Sequence, residues 1–130
     1  MANYYTMFSV KVECVSKKAC DFLEALAENG EENESAYEYE RQGDKSIWFH
    51  SEYNAPEAVA TIISTYQEHY PKADLVVIEW SASCSSPRLD AYGGGVVVIY
   101  KGKQYWMSTY EWAFSKLEEL GYRKTGNTPK

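Results

Sequence analysis

The chain has 130 residues, 45% of them hydrophobic and 25% charged, with a formal net charge of −6. That length suits one domain with a genuine core, and the longest apolar runs, Leu75 to Ile78 and Val96 to Tyr100, are far shorter than the roughly 20 residues of a membrane helix. Three cysteines without CxxC spacing and a start lacking a basic, apolar leader predict a reduced protein of the cytoplasm, with no membrane partner.

In chain order, Tyr5 to Cys14 alternates, with Phe8, Val10, Val12 and Cys14 on one side and Ser9, Lys11 and Glu13 on the other. This is the pattern of a half-buried strand. Ser16 is placed to cap a helix in which Ala19, Phe22, Leu23, Leu26 and Ala27 recur at helical spacing until Asn29-Gly30. Ala36 to Arg41 and Ile47 to Glu52 flank the Gly43-Asp44 turn and read as a hairpin. Asn54 as cap, then Pro56 and Glu57, start a second helix with the stripe Val59, Ile62, Ile63, Tyr66 and Tyr70, which Pro71 stops. Leu75 to Cys84 and Gly94 to Tyr100 are apolar strands, and Lys101-Gly102-Lys103 turns into a short strand through Tyr105 and Met107. Ser108-Thr109-Tyr110-Glu111 fits a capping box for a third helix, with Ala113, Phe114, Leu117 and Leu120 expected inward and Gly121 at its end.

This order predicts an α+β fold: a ferredoxin-like split β-α-β core (βαββαβ) extended by a β-hairpin and a C-terminal helix. The sheet is expected to be mostly antiparallel, with helices on one face. The strand from Leu75 belongs at one edge of the core beside the first strand, so the added hairpin extends the sheet past it. Residues 1–122 are read as a single domain and 123–130 as a flexible polar tail.

The stretch Glu79 to Gly95, EWSASCSSPRLDAYGGG, is the part of the sequence shaped for a task. An apolar strand runs into a serine-rich charged connector and leaves through Gly93, Gly94 and Gly95. Those glycines make a flexible backbone that lets another chain or a ligand approach closely. Arg88 and Asp90 with Glu79 form a charged set that either pins the loop internally or offers an anion site. Cys84 stands four residues before Arg88 rather than the six of a phosphatase-type loop, with no histidine adjacent in sequence. Neither His50 nor His69 has zinc-type spacing to any cysteine. Glu79 and Asp90 are conceivable as a carboxylate pair, which more commonly binds a nearby cation. No catalytic residue, metal ligand or cofactor site is assigned from these patterns.

Charge and aromaticity point instead toward protein contact. Glu28, Glu31, Glu32, Glu34, Glu38 and Glu40 fall in one segment without a Lys or Arg, and removing them leaves 13 acidic against 13 basic residues. Direct nucleic-acid binding is disfavoured by that sign, whereas a partner with a basic surface is attracted by it. Twelve tyrosines and four tryptophans supply the large amphipathic side chains that interfaces favour. The expected partner-binding residues are Glu31, Glu32 and Glu34 for attraction and Trp80, Arg88, Asp90 and Tyr92 for specificity, in a monomer or homodimer.

The run Glu79-Trp80, Cys84, Pro87-Arg88, Asp90, Tyr92-Gly93-Gly94-Gly95, followed by Trp106-Met107-Ser108-Thr109, resembles a family of small bacterial and phage proteins. The family carries no catalytic residues over to this chain. It implies a setting in which small acidic proteins inhibit host defence or replication machinery, for instance by imitating nucleic acid. The alternative expectation is a small-molecule or nucleotide-binding domain, or a small enzyme, using the 79–95 connector as an anion site.

Overall fold

The computed structural model describes residues 4–29, 36–84 and 92–122. Its elements run β1 (Tyr4–Glu13), α1 (Lys17–Asn29), β2 (Glu38–Arg41), β3 (Ser46–Ser51), α2 (Glu57–His69), β4 (Val76–Cys84), β5 (Gly93–Tyr100), β6 (Lys103–Ser108) and α3 (Thr109–Glu119). They form an α+β fold around one six-stranded sheet of order β2-β3-β1-β4-β5-β6, with every ladder antiparallel. The first four strands have the order of the split β-α-β core, and the β5–β6 hairpin extends the sheet past β4.

The alternation in β1 decides which side of the sheet is dry. Phe8 and Val12 are buried while Ser9, Lys11 and Glu13 are exposed, and the register carries this through the neighbours: Val12 faces Ile47, Val10 faces Phe49 and Phe8 faces Trp80. On β4 and β5, Ile78 sits opposite Val97, both fully buried. Leu23, Ala19 and Ala27 of α1 and Val59, Ile63 and Tyr66 of α2 close over this layer. The other face presents Lys11, Trp48, Val77, Glu79, Tyr105 and Met107 to solvent or partial exposure.

Local chemistry fixes the helix ends. Ser16 Oγ accepts from the Ala19 amide at 3.1 Å, as its position predicts. Ser108 and Glu111 form both halves of the capping box, with Glu111 N–H donating to Ser108 Oγ at 3.0 Å and Ser108 N–H to Glu111 Oε1 at 2.9 Å. At α2 the start differs from expectation: Pro56 occupies the cap without a side-chain cap bond. Ser51 Oγ instead accepts from the amides of Tyr53 and Asn54, both at 3.1 Å, and shapes the entry. The edge strand β2 is tied to α1 by Arg41, whose guanidinium meets Asp21 at 3.0 Å and Glu24 at 2.6 Å. Asp21 is thereby held below the usual carboxylate range, chiefly by its hydrogen bond from Arg41.

Beneath the helices, Cys14, Cys20 and Tyr66 meet as a buried polar cluster in which the two thiols hydrogen-bond each other. The Val15 amide donates to the Tyr66 hydroxyl at 3.2 Å. Burial pushes Cys14 up from 9.0 to about 12 and Tyr66 from 10.0 to about 12. An acid whose pKa rises on folding holds its proton more tightly in the folded state, so that contribution is intact below pH 9 and is lost as pH climbs toward 12. Denaturant titrations across this window should show stability falling by up to about 1.4 kcal/mol per pH unit for each group. Cys14→Ala should flatten that slope, whatever it does to the level; an unchanged slope would remove Cys14 as the source.

Candidate functional site

Part of the apolar surface that folding leaves uncovered lies on and beside α3. Ala113, Phe114, Leu117 and Leu120 are expected inward, yet no residue of this helix is buried, and Leu120 at its C-cap is 72% exposed. The helix packs against β5 and β6, and displays Tyr110 at 64% and Trp112 at 57% exposure. Tyr110 stacks edge-on against Phe114, with centroids 4.9 Å apart.

Among the described residues, two grooves flank this helix. The first, about 520 Å³, runs over the open face of the sheet between Met7, Glu79, Val96, Met107 and Trp112, floored by Gly93 to Gly95. The second, about 480 Å³, lies between the outer end of β6 and α3, lined by Trp106, Met107, Tyr110, Phe114 and Glu118. Among the described residues, the charged groups lining the grooves are all carboxylates: Glu79 in the first, Glu111 and Glu118 in the second.

The glycine triplet has a definite role here. Gly93 to Gly95 are paired strand residues, opposite Ala82, Ser81 and Trp80 of β4. The close approach expected at this triplet is made by the chain itself: a Cβ on Gly95 would strike the Trp80 indole and lie 2.5 Å from the Met107 carbonyl oxygen. Trp80 in turn meets Trp106 edge-to-face at 5.4 Å. Trp106 Nε1–H donates to Gln104 Oε1 at 2.9 Å, and Gln104 Nε2–H donates to Ser64 Oγ of α2 at 3.0 Å. Trp80 therefore packs against the core from the helix side. Tyr92 is 55% exposed, but its hydroxyl donates to the Cys84 carbonyl at 2.9 Å, which draws the end of β4 to the start of β5. Cys84 itself is buried.

Glu31, Glu32, Glu34, Arg88 and Asp90 lie outside the described residues, as does the 123–130 tail. The β4–β5 ladder brings Trp80 against Gly95 on the helix side and sets Glu79 opposite Val96 on the open face, while Tyr92 lies at the far end against Cys84. Among the described residues, no group of three or more His, Cys, Asp or Glu side chains could hold a metal ion, and no helix is long and apolar enough to cross a membrane.

No family model and no curated protein sequence matches this chain. Among solved structures it is similar to LarC2, the C-terminal domain of a cyclometallase involved in the synthesis of the NPN cofactor of lactate racemase, in its apo form. The identity is 8%, the match covers 93% of this chain and 89% of that chain, and the TM-score is 0.34. A likeness of that degree carries no argument about function.

Met7, Met107, Tyr110 and Trp112 are surface residues that sequence reasoning passed over. Trp112 falls off the helical stripe of Ala113, Phe114, Leu117 and Leu120, and that displacement from the apolar face was the available signal. The two methionines stand on the open side of β1 and β6, where alternation alone assigns them to solvent.

Proposed function

We propose that this chain is a binding protein that acts by contact with another protein, and that α3 with the adjoining end of β6 is its contact surface. The observation that carries this reading is a helix with no buried residue that shows solvent a tyrosine and a tryptophan, with an exposed leucine at its C-cap. An isolated helix of about this length is marginal in water, so it gains from a surface that covers it. Large exposed aromatic groups beside polar ones are the usual anchors of such surfaces. The narrower form of the proposal is an inhibitor that offers carboxylates to a basic groove as nucleic acid would; it rests on the sequence run Glu31, Glu32 and Glu34.

Trp112→Ala is expected to leave the thermal midpoint within about 2 °C, because the side chain is more than half exposed. The same change should weaken a captured partner by about 2 kcal/mol, the cost of a lost hot-spot anchor. Affinity measured at low and at moderate salt checks the electrostatic part, which requires a steep fall. Partner affinity indifferent to Trp112→Ala would remove α3 as the contact surface.

A further inference from the structure

The sheet has two edges, and they are not equally protected. β2 is four residues long, carries Glu38 and Glu40, and is bridged to α1 through Arg41. Shortness and charge are the ordinary defences of an edge strand. β6 is six residues long, with Lys103 at its start as its one charged side chain, and among the described residues it pairs with β5 alone.

The register shows which main-chain groups that edge offers. Lys101 and Gly102 form a two-residue turn at φ 52° and 81°, so Tyr100 and Lys103 are a hydrogen-bonded pair. Alternation then commits Tyr105 and Met107 to β5, opposite Val98 and Val96. The amides and carbonyls of Gln104 and Trp106 consequently point away from the sheet. Ser108 obeys the same rule, and its outward N–H is the one satisfied by Glu111. The row of outward groups ends in the groove whose walls are Trp106, Met107, Tyr110 and Phe114.

We infer that this edge is a strand-addition site: an extended segment of a partner protein, alternating apolar residues with lysine or arginine, pairs with the main chain of Gln104 and Trp106 and lies against α3. The inference rests on the protein-contact reading above and names the partner's chemistry. Main-chain pairing supplies affinity in this mode, and side-chain pockets supply the choice of segment. The sign of the partner follows from charge complementarity, because among the described residues Glu111 and Glu118 are the only charged side chains lining the groove. Glu111 is held in the helix cap, which leaves exposed Glu118 to face a cation. A second copy is the poorer occupant on charge alone: each chain has net charge −6, so two copies repel where a basic segment is attracted.

A capped synthetic peptide of alternating lysine and valine is the probe, with alternating glutamate and valine as its control, and amide hydrogen exchange on the intact chain is the measurement. The lysine peptide should slow exchange at Gln104 and Trp106 while leaving β2 unchanged. Glu118→Lys should weaken it about tenfold, the size of one charge-assisted contact, and should favour the glutamate peptide. Binding without protection of those two amides overturns strand addition. No binding by the lysine peptide at millimolar concentration does the same, as does light scattering that shows a dimer blocking the edge. If a partner still depends on Trp112 while the two amides exchange freely in the complex, the contact surface stands and only the strand-addition inference falls.

Discussion

Replacing Gln67 by leucine is expected to lower the stability of the folded chain by about 3 kcal/mol, which for a domain of this size is roughly a 10 °C fall in melting temperature. Gln67 is 2% exposed in the last turn of α2, and one amide group serves three separate stretches of backbone. Its Nε2 donates to the Ile99 carbonyl at 2.8 Å and to the Asp74 carbonyl at 3.1 Å, and its Oε1 accepts from the Gly102 amide at 2.9 Å. The helix, the approach to β4 and the β5–β6 turn are thus joined at one side chain. Leucine matches the volume closely but strands these polar groups away from water, at about 1–3 kcal/mol for each one left unpaired. Glutamate at the same position cannot donate to either carbonyl and should be at least as harmful. Urea unfolding of Gln67→Leu beside the exposed control Glu68→Gln checks this. If the two variants unfold at the same urea concentration, the bridge contributes nothing.

The second large effect is expected at Gly95, where alanine should cost about 2–3 kcal/mol by overpacking. The new methyl group meets the Trp80 ring on one side and the Met107 carbonyl on the other, and the latter is backbone that a rotamer change cannot move. Because part of the clash is with an indole, Trp80→Leu should remove part of the penalty. In that background the further cost of Gly95→Ala should fall by about 1 kcal/mol, a coupling that a double-mutant cycle resolves. Additive effects would mean that the ring does not fill the space above Gly95. Neither substitution changes a charge, so they probe the platform without altering the charge of the proposed groove.

Much of the architecture was legible because each local signal agreed with the global arrangement. Period-two alternation from Phe8 to Val12 marked the central strand, Ser16 and Ser108 marked helix starts, and the element order implied the sheet order. What escaped had a common cause: side-chain periodicity says that a face is apolar without saying what covers it. Phe114 and Leu117 recur at helical spacing whether the helix is buried or left outside, so α3 was read as packed. Gln67, set between Tyr66 and Glu68, gives no periodic signal, since its role depends on three segments that only the tertiary fold gathers. The Trp80–Gly95 contact needs the β4–β5 register, which residue types alone do not fix. Pro56 rather than Asn54 stands at the α2 cap because Ser51, buried at the end of β3, already organises the entry.

The central position of β1 also bears on synthesis. Its two neighbours, β3 and β4, are made later, so a nascent chain that has emerged only as far as α2 holds its first strand with one flank bare. That flank stays bare until Cys84 clears the ribosome, and through that interval Phe8, which later faces Trp80, is a surface that a chaperone can recognise.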